Sequence, residues 1–400
     1  MTEQRPLIPI APVLSRASFS PGAGRRPTSV LDAGQVRRVT SGRVAIALAL
    51  RRMEIGAGDE VLVPAYHSPS MVPPILWCGA RPVFYRIGAD ASVDLDDVAA
   101  RLGPATRAIM VTHYFGFPQD MATIRVFCDA HGLMLLEDCA HCFFGAQGGR
   151  PVGSWGDYAI ASSMKFFPIY EGGCLVSARH RLDTPALRSA GPGFEAKAAL
   201  AALENAFAHG RLPFLRTLLR LPLRIKDLAW GALKSRRGAA SGAAPAPALT
   251  PASSDSGFDF EPRWVDKRSA WFSRAVMALV STRRIAALRR RHYLLLEEAA
   301  GPLPGCRPLF ASLPEDVVPW QFPLVCDDPE IVFARLHAAG VPVVRFAQLR
   351  WPNMDTATCA NSTMLARRVL ALPCHQELRD DELAWMTGQL RQALRVRTAA

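Results

Sequence analysis

Short apolar runs alternate with helix-like segments over the first half of the chain. Between residues 42 and 178, segments with apolar residues at helical spacing, such as "RVAIALALRRM" and "DMATIRVFCDAHG", are separated by apolar runs such as "EVLVPA", "RAIMVTHY" and "LMLLED". The helical spacing predicts amphipathic helices, and the apolar runs predict strands that are buried on both faces. The alternation predicts crossover units on a mostly parallel sheet, with ligands expected beyond the carboxyl ends of the strands.

The pattern changes after about residue 190. The segment 238–257, "GAASGAAPAPALTPASSDSG", has the composition of a loop or linker. A helical pattern over 274–300 follows it, with strand patterns at "WQFPLVC" and "VPVVRF" and a closing helical pattern at "DDELAWMTGQLRQAL". We therefore predict a smaller C-terminal α/β lobe, and we divide the chain into an N-terminal arm, a large domain, a basic helical insertion with its linker, and a small domain, at 1–30, 31–190, 191–257 and 258–400.

Composition describes a globular chain with reduced thiols. Half of the 400 residues are apolar, so a sizeable core is available. The first thirty residues lack the apolar run of a signal peptide, and no window reaches about 18 apolar residues without charge; we expect a cytoplasmic protein. The nine cysteines are irregularly spaced, and the single CxxC, Cys139 and Cys142, has no second CxxC to complete a zinc site. We expect no metal.

The positive charge is concentrated in one segment. The formal net charge is +12, and residues 211–237 hold eight basic residues and one acidic residue, so this segment alone carries +7. The rest of the chain is only mildly basic, and we do not expect nucleic acid as a partner. The segment could contact anionic lipid head groups or a polyanionic substrate. We favour packing against a dimer partner, because its leucines recur at helical spacing.

Four short motifs follow in order where strands or their turns are predicted to end. The motifs are "TSGRVAI" (40–46), "VPAYHSPS" (63–70), "LLEDCAHC" (135–142) and "SSMKFFPIYEGG" (162–173). They resemble the pyridoxal-phosphate (PLP)-dependent nucleotide-sugar aminotransferases of the DegT and StrS type. The resemblance covers roughly residues 35–178 and returns at "ALPCHQELRDDEL". It implies the fold-type-I architecture, a large α/β domain with a mostly parallel sheet and a smaller C-terminal lobe, with PLP as cofactor and a homodimer.

Three residues of the last two motifs are the candidates for catalysis. The resemblance places the lysine that binds the cofactor covalently at Lys165, and a partly desolvated lysine loses its proton more readily than a solvated one. It places the partner of the pyridine nitrogen at Asp138, since an adjacent carboxylate keeps that nitrogen protonated. His141 would lie near the cofactor's phenolic oxygen or support Asp138, and a buried structural histidine is the alternative.

The cofactor's phosphate needs N–H groups at the start of a helix. The resemblance assigns these contacts to the backbone amides of Gly42, Arg43 and Val44, and Ser162 is our choice for the hydroxyl that completes the site. Arg43 stands where the family usually has a small hydroxyl residue.

The residue that covers the cofactor ring also departs from the family pattern. Where the family commonly has an aromatic ring, this chain has Ser68. We expect His67, rather than Tyr66, to stack on the ring.

The resemblance implies transfer of an amino group from glutamate or glutamine to a keto sugar, often nucleotide-linked, for polysaccharide or secondary-metabolite synthesis. A PLP-dependent dehydratase or lyase of the same fold is a second interpretation. The family's sugar dehydratases carry His where this chain has Lys165, which argues against it. A third is a non-catalytic regulatory or interaction protein, for which the departures at Arg43 and Ser68 argue.

Overall fold

The structure, a computed structural model, describes residues 5–183, 186–220, 224, 260–301, 303–349, 351–352, 354 and 359–395. The basic segment 211–237 is therefore described only at 211–220 and 224. The linker predicted at 238–257 lies outside the described residues.

Strands and helices alternate through the first half of the chain. The strands are β1 Gln35–Val39, β2 Glu60–Pro64, β3 Arg81–Tyr85, β4 Thr106–Thr112, β5 Met134–Asp138, β6 Ala146–Gln147, β7 Arg150–Pro151, β8 Tyr158–Ser162 and β9 Gly173–Ser177. The helices are α1 Gly42–Arg52, α2 Val72–Trp77, α3 Leu95–Ala100, α4 Met121–His131, α5 Pro192–Ala208 and α6 Pro213–Leu218.

Seven of these strands form one central sheet in the order β1-β9-β8-β5-β4-β2-β3. The pairings from β3 across to β8 are all parallel, whereas β9 pairs antiparallel with both β8 and β1. The predicted mostly parallel sheet is confirmed. Its parallel strands end at one edge, where the predicted site residues follow.

Both faces of the sheet are buried, which explains the continuous apolar runs. Alternate residues point to opposite faces, because the side-chain period of a strand is two. Leu62 and Ile109 join a core cluster that extends into the second half of the chain, while Val61 and Met110 pack in a separate cluster with helix α1.

The second half of the chain forms a smaller sheet with helices. Its strands are β10 Cys306–Pro308, β11 Gln321–Cys326 and β12 Val369–Pro373, paired antiparallel in that order. Its helices are α7 Trp271–Leu279, α8 Thr282–Ala300, α9 Pro329–Ala338, α10 Ala360–Arg368 and α11 Asp380–Arg395.

Two elements differ from the sequence prediction. The helix predicted over 274–300 is two helices, because Val280 is extended and the Ser281 side chain accepts the backbone N–H of Arg284 as an N-cap. The strand predicted at "VPVVRF" is a loop with one bridge, between Val344 and Ala371. Apolar runs of this length fit a buried loop as well as a strand.

The N-terminal arm lies against the second half of the chain. Pro9 O is 2.9 Å from His375 Nε2, and Ser15 Oγ donates to Glu377 Oε2 at 2.6 Å. These bonds join the arm to the segment that follows β12. Among the described residues, no helix is both long and apolar enough to span a membrane.

Candidate active site

Asp138 and Lys165 are brought together by the ends of two neighbouring strands. Asp138 is the last residue of β5 and pairs in register with Ile160 of the parallel strand β8. Two residues later β8 ends, and a single 3₁₀ turn, Ser163–Lys165, follows. The carboxyl and the amine therefore lie at the same edge of the sheet, as the sequence predicts.

Asp138 is a buried carboxyl with few partners. Its Oδ1 accepts the N–H of Ala140 at 2.9 Å, and its Oδ2 lies 3.3 Å from Thr112 Oγ1. Burial raises the pKa of the Asp138 carboxyl, while the Ala140 N–H and the Lys165 charge act in the opposite direction. A ligand with a positive N–H would favour the ionised carboxylate.

The neighbouring carboxylate, Glu137, has a different environment. Its oxygens accept the backbone N–H groups of Gly153 at 2.9 Å, Trp155 at 2.6 Å and Gly156. His113 Nε2 lies 3.2 Å from Glu137 Oε2, and Gln119 N donates to His113 Nδ1. Glu137 therefore holds the turn after β7.

Lys165 is partly buried, and its side chain reaches an aromatic residue of the second half of the chain. The Nζ atom lies 4.7 Å from the centre of the Trp320 ring. Burial lowers the pKa of the Lys165 amine to about 8, and the charge of Asp138 partly opposes this shift. A larger fraction of this amine is uncharged near neutral pH than for an ordinary lysine, as nucleophilic chemistry requires.

His141 stacks on the same tryptophan. The two ring centres are 3.8 Å apart with an interplanar angle of 26°, and Phe346 meets His141 edge-on at 4.8 Å. Burial, followed by the charge of Lys165, lowers the pKa of His141 well below its usual value. Nδ1 has no hydrogen-bond partner among the described residues. The imidazole is therefore neutral, with one nitrogen available to a ligand.

Trp320 and Phe346 were missed by the sequence analysis. They belong to the predicted strands "WQFPLVC" and "VPVVRF", and nothing in those patterns relates them to Lys165 or His141. Ligand sites often lie where two lobes meet and are lined by aromatic side chains, so aromatic residues of the second lobe were reasonable candidates.

The start of helix α1 lies beside the end of β8. Ser41 is the N-cap, and its Oγ accepts the N–H of Val44 at 3.3 Å. A Cβ atom placed on Gly42 would lie 4.0 Å from the Cβ of Ser162. The structure thus places the start of helix α1, which contains the predicted Gly42, Arg43 and Val44 amides, next to Ser162. A bound anion would compete with Ser41 for the Val44 N–H.

The Glu-Gly-Gly turn packs directly on this helix start. Gly172 N donates to Thr40 O at 2.9 Å, and a Cβ on Gly173 would lie 2.3 Å from the carbonyl carbon of Ser41. The Thr40 hydroxyl is buried without a hydrogen-bond partner among the described residues. The turn therefore needs glycine at 173 because the backbone of residue 41 fills the space.

We expect Gly173→Ala to weaken binding at this helix start. The added Cβ must displace the Ser41 backbone, which costs about 1–3 kcal/mol, and a binding penalty of that size corresponds to roughly a fivefold to 150-fold loss of affinity for PLP. The measurement is a spectroscopic PLP titration. Gly388→Ala is the matched control, since nothing lies within 4 Å of its added Cβ; equal affinities in the two variants would contradict the prediction.

The two residues considered for ring stacking lie in different surroundings. The His67 ring stacks on Phe84 at 4.8 Å, and its Nδ1 is 3.2 Å from Ala65 O. The Tyr66 ring meets Phe346 edge-on at 4.9 Å, and Phe346 also contacts His141. The contact through Phe346 links Tyr66 to the site. Stacking by His67 stays a prediction.

The arrangement fits a phosphorylated pyridine aldehyde. The buried Asp138 carboxyl suits the ring nitrogen, the Lys165 amine suits the aldehyde, and the unpartnered Nδ1 of His141 offers a further polar contact. The start of helix α1, next to the unpartnered Thr40 hydroxyl, suits the phosphate.

Sequence comparison identifies relatives over the first lobe. GDP-perosamine synthase from Vibrio cholerae is 39% identical over 142 residues, 35% of this chain and 39% of that protein. UDP-N-acetyl-3-dehydro-alpha-D-glucosamine 3-aminotransferase from Acidithiobacillus ferrooxidans is 37% identical over 158 residues, 36% of this chain and 40% of that protein. The matched part of the chain thus spans about two fifths of the length of these relatives.

The fold is shared over nearly the whole chain. The crystal structure of the aminotransferase TlmJ from Streptoalloteichus hindustanus matches with a TM-score of 0.64 at 22% identity, over 98% of this chain and 99% of that one. This confirms the fold-type-I architecture. The model of the DegT/DnrJ/EryC1/StrS aminotransferase family matches residues 29–206, which contain all eight predicted site residues. Over residues 29–206, the chain is therefore similar to the DegT/DnrJ/EryC1/StrS aminotransferase family.

Proposed function

We propose that this protein is a PLP-dependent aminotransferase that moves an amino group from glutamate or glutamine to a nucleotide-linked keto sugar. The observation that carries the proposal is the pairing of the Lys165 amine, whose pKa is lowered to about 8, with the buried Asp138 carboxyl at the ends of adjacent strands. The match of residues 29–206 to the model of the DegT/DnrJ/EryC1/StrS aminotransferase family supports it.

The residues have separate tasks in this proposal. Lys165 binds the cofactor covalently, Asp138 faces the ring nitrogen, and the start of helix α1 with Ser162 receives the phosphate. Bound PLP supplies an electron sink for negative charge that develops beside the transferred nitrogen. The Lys165 Nζ, once free, takes a proton from the α-carbon of the amino donor and later returns a proton to the sugar carbon that accepts the nitrogen.

The surrounding side chains control charge and water. His141 is neutral, so it offers the cofactor a hydrogen bond without adding a second positive charge beside Lys165. Trp320 and Phe346 cover His141 with two aromatic rings, which keeps water away from the imidazole. Exclusion of water strengthens the electrostatic contacts of Asp138 and Lys165.

The substrate class rests on the relatives. Both are named for sugar products or substrates linked to a nucleoside diphosphate, and the product here would enter polysaccharide or secondary-metabolite synthesis. A homodimer belongs to the proposal. The exposed apolar side chains of Trp271 and Leu279 on helix α7 support it, since a second copy would cover them.

The experiment is an amino-transfer assay with isotope-labelled nitrogen. The purified protein with PLP is given labelled glutamate or glutamine and a panel of nucleotide-linked sugars with the keto group at different ring positions. We expect labelled nitrogen in an amino-sugar product, detected by mass spectrometry. Loss of water from the sugar without transfer of nitrogen would favour the dehydratase or lyase. A chain that binds no PLP and converts no sugar would favour the non-catalytic interpretation.

A further inference from the structure

The backbone that follows Lys165 is held by side chains from the second half of the chain. The 3₁₀ turn at Ser163–Lys165 ends at Phe166, and Pro168, two residues later, has no N–H to donate to the Lys165 carbonyl. Arg289 Nη2 donates to Lys165 O at 2.8 Å, and Gln376 Nε2 donates to Phe166 O at 2.9 Å. These two side chains satisfy carbonyls that a longer helix would have satisfied itself.

Arg289 is a fully buried cation whose partners are neutral oxygens. Its Nη1 donates to Pro319 O at 3.1 Å and Trp320 O at 3.0 Å, and its Nε donates to Gln376 Oε1 at 2.9 Å. None of the described carboxylates forms an ion pair with it, and burial lowers the pKa of Arg289 to about 10. A buried charge is costly unless it is well hydrogen-bonded. The forked guanidinium can bind several carbonyls at fixed angles, which a lysine cannot do.

The carbonyls that Arg289 binds belong to residues that meet in the site. Trp320 lies under the Lys165 Nζ at 4.7 Å and stacks on His141 at 3.8 Å. Arg289 thus contacts the backbone of the amine-bearing residue and the backbone of the ring beneath that amine. Arg289 forms no hydrogen bond with the Lys165 amine or the Trp320 indole, so its effect on the amine is indirect.

We propose that Arg289 is a positioning residue, which fixes Lys165 against Trp320 and so holds the lysine amine in its place at the edge of the central sheet. Only the cofactor-binding role of Lys165 rests on the proposed function. Without the forked guanidinium, the Lys165 carbonyl loses its partner and the lysine side chain moves towards water. An orientation error of this kind reduces reactivity even when the reactive group itself is unchanged.

Arg289→Lys is the test variant and Arg284→Lys is its matched control. Arg284 lies on the same helix, α8, and donates to Glu377 Oε1 at 2.6 Å and Gln376 O at 2.9 Å. It therefore holds the same C-terminal segment without touching the backbone of Lys165 or Trp320. Both substitutions keep the charge and remove the fork. Gln376→Ala, which removes the donor to Phe166 O, provides a second variant if Arg289→Lys does not fold.

Lysine reactivity gives a readout that does not depend on turnover. The chain has only five lysines, so competitive acetylation of the protein without cofactor, between about pH 6 and pH 11 and read by peptide mass spectrometry, follows Lys165 separately. Borohydride trapping then measures the rate at which PLP attaches to Lys165. Thermal unfolding of each variant records the structural cost of the substitution.

In wild type we expect Lys165 to titrate near 8, and in Arg289→Lys we expect its midpoint to move up towards the ordinary 10.5. PLP attachment near pH 8 should slow by roughly tenfold to a hundredfold, while Arg284→Lys stays at wild-type values. Gln376→Ala should shift Lys165 in the same direction. If Arg289→Lys lowers only the melting temperature and matches Arg284→Lys in both lysine readouts, Arg289 is a structural residue and the inference is wrong.

A different result would separate this inference from the proposed function. A wild-type Lys165 that does not attach PLP would contradict the proposed function. A wild-type Lys165 that also titrates near 10.5 would contradict the positioning role, because its amine would then behave as a solvated lysine. A wild-type Lys165 that attaches PLP while Arg289→Lys behaves as the control would contradict the positioning role alone.

Discussion

Lys165→Ala should abolish covalent attachment of PLP and lower amino transfer by at least roughly 10²- to 10⁴-fold, because loss of a positioned base alone has that effect. The variant also loses the amine that binds the cofactor. Borohydride reduction followed by peptide mass spectrometry measures the attachment, and the labelled-nitrogen assay measures the transfer. Lys197→Ala is the control, since Lys197 is an exposed lysine of helix α5. Trapped PLP on a peptide without residue 165 would contradict the assignment.

The pH dependence of attachment in wild type provides an independent check on the same residue. Only the uncharged amine reacts with an aldehyde, so the rate rises with pH until the amine is deprotonated. Because burial lowers the pKa of Lys165 to about 8, the rate should level off above about pH 8. A surface lysine with the ordinary pKa would still gain reactivity at about pH 10. A continued rise through that range would show that Lys165 is solvated.

The parts of the site that the sequence predicts are those set by local pattern. Asp138 closes an apolar run, and Lys165 follows another at the predicted strand end, so the parallel sheet brings them to one edge. The glycines of the Glu-Gly-Gly turn belong to the same short motif as Lys165. The predicted strand ends and the resemblance together indicated these residues, since each residue's place follows from the strand that precedes it.

The remaining parts depend on packing between distant segments. Arg289 and Trp320 lie more than a hundred residues after Lys165 in the chain, and their contacts arise only when the second half packs on the first. A single sequence contains no period or spacing that records such a contact. The break between α7 and α8 is a local feature, but the Ser281 N-cap has apolar helical spacing on both sides, and this spacing hides the break.

The sequence could not decide between Tyr66 and His67 as the stacking residue, because this choice also depends on packing between distant segments. The two residues are adjacent after β2, so the pattern cannot say which one faces the site once the strand has ended. The structure gives them different neighbours, Phe346 for Tyr66 and Phe84 for His67. Phe346 comes from the loop that replaces the predicted "VPVVRF" strand. The sequence therefore could not indicate that Tyr66 would meet it.

The two adjacent carboxylates, Asp138 and Glu137, should respond to amide substitution in opposite ways. We expect Asp138→Asn to keep the fold and bind PLP, because burial already disfavours the charged form of the carboxyl and only two of the described residues form hydrogen bonds with it. Amino transfer should fall by roughly 10²-fold or more, since a neutral amide cannot keep the ring nitrogen protonated. The measurements are PLP titration and the labelled-nitrogen assay.

Glu137→Gln should instead destabilise the protein. The Glu137 oxygens accept three backbone N–H groups of the 153–156 turn, and an amide replaces one accepting oxygen with a donor that faces those N–H groups. Leaving buried donors unpaired costs about 1–3 kcal/mol each, so the melting temperature should fall while transfer per folded molecule is largely kept. Thermal unfolding of both variants separates the two effects. If Asp138→Asn transfers nitrogen at the wild-type rate and Glu137→Gln does not, the ring nitrogen is served by Glu137, and the division of labour between the two carboxylates is the reverse of the one inferred from their hydrogen bonds.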